Sequence, residues 1–235
     1  MSEMKIRDGL REEVLEANLD LVRHGLVTLT WGNVSGVDRV SGLVAIKASG
    51  VPYEEMSVED IVVVDLDGRI VEGKRRPSTD VPTHLLLYRS YTEIGGVVHT
   101  HSTWATSWAQ AGREIPIFGT THADLCPGAV PIARHLSDDE IRGAYEENTG
   151  VVLREVIGDR GIDEVPCALV PGHGPFSWGK DAAQAVERAV TLEQVARMAL
   201  LTLVIRPDAP PLSAVVTERH FTRKHGPGAY YGQPL

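Results

Sequence analysis

The chain has 235 residues, of which 23 are Lys or Arg and 32 are Asp or Glu, so its net charge at pH 7 is -9. Because nucleic acids are bound by clustered lysines and arginines, this acidic composition excludes nucleic acid as the main partner. Hydrophobic residues make up 43% of the chain, which excludes disorder, and a chain of this length can bury enough apolar surface to fold without disulfides or a structural metal.

No membrane partner is predicted. The one long stretch without acidic or basic residues, 94–112, is interrupted by His, Thr, Ser and Gln, which makes it a poor membrane span. Residues 1–16 carry charges where a secretory signal would be apolar. We therefore expect a cytoplasmic location, in which Cys126 and Cys167 are free thiols.

The N-terminal third combines a helix with short strands. Apolar residues at helical spacing predict an amphipathic helix over 7–24, with Gly25 as its C-terminal stop. Three β-type runs follow, at 43–46, 61–64 and 69–71, and turn residues separate them. Their spacing predicts an antiparallel meander.

The rest of the chain alternates helices with strands. A helix is predicted over 80–91 with Pro82 in its first turn, followed by a buried strand over 96–99 and a helix over 102–110. A capping box at 137–140 starts a helical region that runs to about residue 157, and a short strand over 168–170 precedes a long apolar helix over 181–203. The pattern predicts one domain over residues 1–235, an α/β fold of three layers (α/β/α) with a mainly antiparallel central sheet.

Three histidines form a candidate metal site. His99 and His101 leave a strand end on the same face, so both can reach one ion, and His173 lies between two glycines far along the chain. Three imidazoles leave a coordination position open, as in catalytic zinc sites, and Asp80 is the nearest candidate carboxylate. The pattern of two histidines alone is also typical of a hydrogen-bonded pair, and a surface position for His173 stays open as an alternative.

Three small polar clusters are candidate anion sites, at 30–35, 47–50 and 77–80. The third precedes a predicted helix, whose unpaired N–H groups favour a phosphate or a carboxylate, and Lys47 adds a positive charge to the second. Turns and helix caps explain the same residue types equally well, so the sequence does not decide between the two interpretations.

Taken together, these motifs resemble a known enzyme family. The chain is similar, from about Leu10 to Gln233, to the L-ribulose-5-phosphate 4-epimerases of the class II aldolase/epimerase superfamily. The motifs that carry the resemblance are TLTWGNVS at 28–35, PSTD at 77–80, HTH at 99–101, GTTHAD at 119–124, HGPF at 173–176 and the tail at 223–232. The histidine pattern is shared by the superfamily, whereas GTTHAD and the Tyr-Tyr-Gly of the tail are typical of the epimerases.

The resemblance implies a reaction and a cofactor. It implies one Zn²⁺ held by His99, His101 and His173, with Asp80 near or on the metal. The family breaks the C3–C4 bond of L-ribulose 5-phosphate by a retro-aldol step, rotates the aldehyde, and re-adds it to give D-xylulose 5-phosphate, a step in the breakdown of arabinose and other pentoses. By analogy Asp124 handles protons on one face of the aldehyde, and Tyr231 does so on the other.

The resemblance also implies binding residues and an assembly. Contacts to the phosphate and hydroxyl groups of the pentulose are implied for Asn33, Ser49, Gly50, Ser78 and Thr79. His220 and Arg223 correspond to a basic contribution from a neighbouring subunit. The family forms a cyclic homotetramer with sites between subunits, so we expect the C-terminal tail to contribute to a subunit interface.

Three alternatives remain. The first is a lyase similar to L-fuculose-1-phosphate aldolase, against which Asp80 and the Tyr-Tyr-Gly tail argue. The second is a binding module without catalysis, which the retained candidate ligands disfavour. The third is a metal-dependent dehydratase. Before the resemblance is considered, a turn cap explains Asp124, and packing at an interface explains Tyr231.

Overall fold

The computed structural model of the chain describes residues 5–226 and 228–232. Residues 1–4, 227 and 233–235 lie outside the described part. They include Gln233, where the predicted resemblance ends.

The centre of the fold is one antiparallel sheet. Seven strands are found in residues 5–226 and 228–232: β1 (Asn33–Asp38), β2 (Leu43–Lys47), β3 (Ile61–Asp65), β4 (Ile70–Glu72), β5 (Gly96–His99), β6 (Cys167–Val170) and β7 (Gly174–Gly179). They pair in the order β4-β3-β2-β1-β5-β7-β6, and every neighbouring pair is antiparallel. The predicted sheet type is confirmed.

Helices cover both faces of the sheet. The described residues form eight: α1 (Leu10–Arg23), α2 (Val81–Ser90), α3 (Thr103–Gln110), α4 (Thr120–Leu125), α5 (Asp138–Arg142), α6 (Tyr145–Ile157), α7 (Ala182–Ile205) and α8 (Ala214–Lys224). None of those in residues 5–226 and 228–232 combines the length and the apolar character that crossing a membrane requires. Both cysteines are free and buried.

The three layers follow from side-chain alternation along the strands. In β2, Leu43 and Ala45 join the core formed with α1 and the start of α7, whereas Val44 and Ile46 join the core formed with α2 and α6. Successive side chains of a strand point to opposite faces, so a strand covered on both faces is apolar throughout. The predicted α/β/α architecture is therefore confirmed.

Two central strands were not predicted. β1 and β7 contain glycine and polar residues that are typical of turns, yet both are buried along their whole length. Glycine is required there because neighbouring elements come close: a Cβ on Gly36 would lie 3.0 Å from Val14 Cγ2, and one on Gly179 would lie 2.8 Å from the backbone nitrogen of Ala185. Close packing of α1 and α7 on the sheet thus overrides local strand propensity.

Two helices also differ from the prediction. α4 lies between the predicted helices over 102–110 and 137–157, and α8 lies after the predicted helix over 181–203, and no helix is predicted in either segment. α8 is a polar helix that buries only Thr217 among its own residues, so its sequence lacks the apolar residues of a helix that packs into the core. In addition, the helical region predicted from 137 to 157 is interrupted at Gly143 and Ala144, between α5 and α6.

Candidate active site

The candidate metal ligands meet at the place in the sheet where β5 ends and where its neighbours β1 and β7 begin. His99 is the last residue of β5, and in the sheet register it lies opposite Asn33, the first residue of β1, and Phe176 of β7. His173 immediately precedes β7, and His101 follows β5 by two residues. Because antiparallel neighbours run in opposite directions, the end of β5 lies beside the starts of β1 and β7. Strand pairing therefore brings residues that are distant in sequence together at the ends of these strands.

The three imidazoles converge on one point. One ligand nitrogen from each of His99, His101 and His173 lies within 4.8 Å of the others, and the Nε2 atoms of His99 and His101 are 3.0 Å apart. Nδ1 of His99 is 3.0 Å from the carbonyl oxygen of Pro175. That oxygen can only accept, so Nδ1 donates, and in the neutral ring Nε2 keeps its lone pair. The ring of Phe176 stacks on His99 at 4.1 Å.

The electrostatics of this cluster suit a metal ion. Burial lowers the pKa of His99, His101 and His173 below that of a free imidazole, so all three are neutral at pH 7 and present lone pairs. His99 is 2% exposed, whereas His101 is exposed to solvent. This set of donors fits a divalent cation with one side open to a small molecule.

Asp80 stands beside the cluster and is not a member of it. The group of residues whose ligand atoms lie within 4.8 Å of one another contains the three histidines alone, among the described residues. Oδ2 of Asp80 accepts a hydrogen bond of 2.6 Å from Nδ2 of Asn33. Burial raises the pKa of Asp80, but the nearby His99 and His84 and the Asn33 amide lower it by more, so the group is a carboxylate.

The predicted substrate residues line the same cavity as the histidines. Backbone hydrogen bonds join the second and third polar clusters, from Ser49 N to Arg76 O and from Ser78 N to Lys47 O, each 2.9 Å long. The cavity has a volume of about 370 Å³, and its lining includes Asn33, Ser49, Gly50, Ser78, Thr79, Asp80, His99, His101 and His173. Nine residues selected from the sequence are thus brought together.

Other residues of this cavity were not assigned a role from the sequence. Tyr145 and Glu146, at the start of α6, line it, and the Tyr145 hydroxyl is 3.4 Å from Nδ1 of His173. No motif signals either residue. Lys47, by contrast, was expected to add a positive charge to the second polar cluster, and it lines the cavity, but its Nζ donates to the carbonyl oxygens of Val51 and Ala48. Burial lowers the pKa of Lys47 to about 8.

The other predicted residues form a second cluster between α4 and α8. Arg223 donates two hydrogen bonds to the carboxylate of Asp124, from Nε at 2.9 Å and from Nη2 at 2.6 Å. His220 Nδ1 is 3.1 Å from the same carboxylate, and His225 Nε2 is 3.0 Å from the Asp124 carbonyl oxygen. Burial raises the pKa of Asp124, but the bonds from Arg223 and His220 lower it by more. Tyr231 is 60% exposed, and the guanidinium of Arg223 lies 4.9 Å from its ring.

The two clusters are separate within one chain. Asp124 and Tyr231 line a cavity of about 290 Å³ between α4, α7 and the segment after α8. None of its lining residues also lines the cavity that contains the three histidines. One chain therefore assembles the candidate ligands and substrate contacts but holds Asp124 and Tyr231 elsewhere.

Comparison with known proteins gives matches over nearly the whole chain. Residues 12–200 match the family described as the class II aldolase and adducin N-terminal domain. Two proteins named L-ribulose-5-phosphate 4-epimerase UlaF, from Salmonella paratyphi A and Salmonella typhi, are each 56% identical to the chain over 224 residues, which is 95% of this chain and 98% of each relative.

Solved structures match the fold at lower identity. An L-fuculose 1-phosphate aldolase superposes with a TM-score of 0.79 at 23% identity, covering 94% of this chain and 99% of that one. The L-fuculose-1-phosphate aldolase of Thermus thermophilus gives a TM-score of 0.68 at 24% identity, covering 88% of this chain and 100% of its own. At these identities the structures establish the shared fold alone.

Proposed function

The chain belongs to the class II aldolase family, and we propose that it is an L-ribulose-5-phosphate 4-epimerase, which interconverts L-ribulose 5-phosphate and D-xylulose 5-phosphate. The 56% identity to relatives of that name over 95% of the chain supports the assignment. The observation that carries it in the structure is the meeting of three neutral imidazoles and the three polar segments that are candidates for anion binding in one cavity.

The metal is proposed to be zinc, with His99, His101 and His173 as its ligands and Asp80 beside it. Imidazole nitrogens suit zinc among the common divalent cations. When bound, the cation supplies positive charge next to the ketone, where negative charge develops as the neighbouring carbon–carbon bond breaks.

The phosphate end of the sugar is assigned to Ser49, Gly50, Ser78 and Thr79. Ser78 and Thr79 immediately precede Asp80, the N-cap of α2, where the helix dipole favours an anion, and the hydrogen bond from Ser78 N to the Lys47 carbonyl oxygen holds the segment of Ser49 and Gly50 beside them. Because the N–H groups of Ser49 and Ser78 are used in backbone hydrogen bonds, the hydroxyls of Ser49, Ser78 and Thr79 are the proposed donors. Asn33 suits a sugar hydroxyl, because its Oδ1 is buried without a hydrogen-bond partner among the described residues, while its Nδ2 donates to Asp80.

The proposed reaction needs proton transfer on two faces of one carbon. Cleavage of the C3–C4 bond requires loss of the proton of the C4 hydroxyl. The electron pair of the broken bond passes to the fragment that carries the ketone. The aldehyde turns about and accepts that electron pair on its other face, and its oxygen regains a proton. We assign these transfers to Asp124, whose lowered pKa keeps it ionised as an acceptor, and to the hydroxyl of Tyr231.

We propose that the complete site lies between two subunits of a homotetramer. The support is the separation of the two clusters: residues proposed for proton transfer cannot act on a substrate held in a cavity that they do not line. Arg223 then brings positive charge and His220 a hydrogen-bonding imidazole to the neighbour's substrate, and the segment after α8 becomes part of a subunit interface. The single domain over 1–235 and a cytoplasmic location complete the proposal.

One incubation tests the activity. Protein of known metal content is mixed with L-ribulose 5-phosphate, beside a chelated sample, and the sugars are followed by NMR. D-xylulose 5-phosphate that forms only in the untreated sample is the expected result. Accumulation of dihydroxyacetone and glycolaldehyde phosphate identifies a lyase, and absence of any reaction in metal-loaded protein refutes the substrate.

Mixed tetramers test the shared site. His99→Asn chains and Tyr231→Phe chains, each inactive or slow alone, are co-expressed and purified as hybrids. If each site takes its two halves from different subunits, an equal mixture recovers about a quarter of the wild-type activity, since both halves are intact in that share of the sites. Recovery of no activity places each site within a single chain.

A further inference from the structure

A large aromatic side chain stands at the mouth of the histidine cavity without an assigned role. Trp31 lines this cavity, and its ring lies 6.4 Å from that of His101. The residue is 51% exposed, so about half of a large apolar ring faces water. Ligand cavities are commonly lined by aromatic side chains that cover the apolar parts of the ligand.

The backbone beneath this ring is fixed on both sides. Leu29 has a φ of 55°, and it is the one residue other than glycine with positive φ in residues 5–226 and 228–232. Gly32 has a φ of 86°, and a Cβ at that position would lie 2.9 Å from the carbonyl oxygen of His99. The Tyr53 hydroxyl lies 2.9 Å from the Gly32 carbonyl oxygen and 3.3 Å from that of Trp31, within donating distance of both. A left-handed conformation is costly for leucine, so this turn persists only because its surroundings hold it.

The proposed reaction has a step at which such a ring is useful. When the C3–C4 bond breaks, its electron pair stays with the three-carbon fragment, the C4 hydroxyl proton passes to an enzyme base, and C4 becomes the carbonyl carbon of glycolaldehyde phosphate. The two fragments are then no longer covalently joined. An epimerase must keep the aldehyde until it re-adds, whereas a lyase releases it. Contact with C–H groups retains the fragment and still allows it to rotate, because apolar contact is not directional.

We propose that Trp31 is a specificity-determining residue whose indole packs on the carbon chain of the sugar phosphate and retains the aldehyde fragment between cleavage and re-addition. The inference rests on the proposed function. It draws on three features together: the ring lines the metal cavity, it is half exposed, and its backbone is held in place.

The first test measures how the cleaved fragments divide between release from the enzyme and re-addition to give the epimer. Trp31→Ala is expected to raise the ratio of released dihydroxyacetone to epimerised pentulose by about three- to tenfold, the factor that an aromatic contact of ordinary strength supplies. Metal content and the folded state should not change. Trp31→Phe should restore most of the wild-type ratio. Val40→Ala, at a position 98% exposed in the turn after β1, is the control and should leave the ratio unchanged.

A second measurement separates this inference from the proposed function. L-ribulose 5-phosphate should quench tryptophan fluorescence in the wild type, and the quenching should be lost in Trp31→Phe, because the other three tryptophans lie outside the histidine cavity. If the wild type does not epimerise the sugar, the proposed function fails while the quenching still reports contact with Trp31. Unchanged quenching in Trp31→Phe overturns the inference, and so does an unchanged partition in Trp31→Ala.

Discussion

The histidine cavity and the Asp124 cluster are built in different ways. His99 and Asn33 are fixed by the hydrogen bonds of central strands and lie almost fully buried. Asp124 and Arg223 are held by a pair of side-chain hydrogen bonds between α4, a helix of six residues, and α8. Side chains at strand ends have well-defined positions because the sheet is covered on both faces. Side chains in a contact between two helices at the surface remain accessible, so they can also contact another protein surface. The histidine cavity is therefore assembled within one chain, and the partly exposed Asp124 cluster agrees with the proposal that it contributes to a neighbouring subunit.

Removing one ligand should have the largest effect. His99→Asn takes one of three imidazoles from the cluster, so we expect metal content far below that of the wild type and a loss of activity of more than about 100-fold. Metal analysis and the epimerase assay measure both. His135→Asn is the matched control, since His135 is exposed and lies outside the histidine cavity, and it should change neither quantity. A fully metal-loaded His99→Asn protein contradicts the ligand assignment.

Asp124→Asn should separate the second region from the first. The amide cannot take up a proton as the carboxylate does, so the epimerisation rate should fall by about 100-fold while metal content stays at the wild-type level. Steady-state kinetics and metal analysis on the same preparation check this. Full activity would return Asp124 to a structural role in which its carboxylate holds Arg223 and His220 of α8.

Tyr231→Phe should have a smaller effect of the same kind. The ring and its packing beside Arg223 are kept and the hydroxyl alone is lost, so we expect epimerisation to slow by about 10- to 100-fold. Cleavage to dihydroxyacetone should be less affected, because the other face keeps its proton-transfer group. NMR of the product mixture measures both rates. An unchanged epimerisation rate removes Tyr231 from the mechanism.

The smallest expected change concerns the support of the histidine cavity. A Cβ on Gly174, at the start of β7, would lie 2.7 Å from the carbonyl oxygen of Thr100. Gly174→Ala should therefore push β7 away from the segment that carries His101, lowering the free energy of unfolding by about 1–3 kcal/mol and weakening metal binding. Gly128→Ala, where no atom lies within 4 Å of the added Cβ, is the control. Denaturant unfolding compares the stability of the two variants. Equal stability would contradict the prediction and would show that β7 and the Thr100 segment move apart at little cost.

Much of the fold was predictable because its signals are local. β2, β3 and β5 are short runs of β-branched and apolar residues, and α1 has a clear helical period. β1 and β7 were missed because their glycines carry turn signals along the sequence. Gly36 and Gly179 are explained only by α1 and α7, which pack against them in three dimensions, and Gly174 is explained by the carbonyl oxygen of Thr100 after β5.

The candidate site was likewise predictable from the sequence only in part. His99 and His101 were predicted from their spacing on one strand, and His173 from the glycines on both sides of it. Tyr145 gave no signal, because its place beside His173 depends on how α6 packs against the strand ends. Bringing Ser78 beside Asn33 and Ser49 likewise required contacts between distant parts of the chain, namely the bonds from Ser78 N to the Lys47 carbonyl oxygen and from Asn33 Nδ2 to Ser78 Oγ.

The sequence by itself determined the donor chemistry: which imidazoles, hydroxyls and carboxylates are present, and which short segments carry them. The tertiary structure decided which of these groups share a cavity. It brought nine of the predicted residues together and kept Asp124 and Tyr231 apart from them. The physical reason is that strand order and helix docking are set by contacts between distant parts of the chain, which local spacing does not encode.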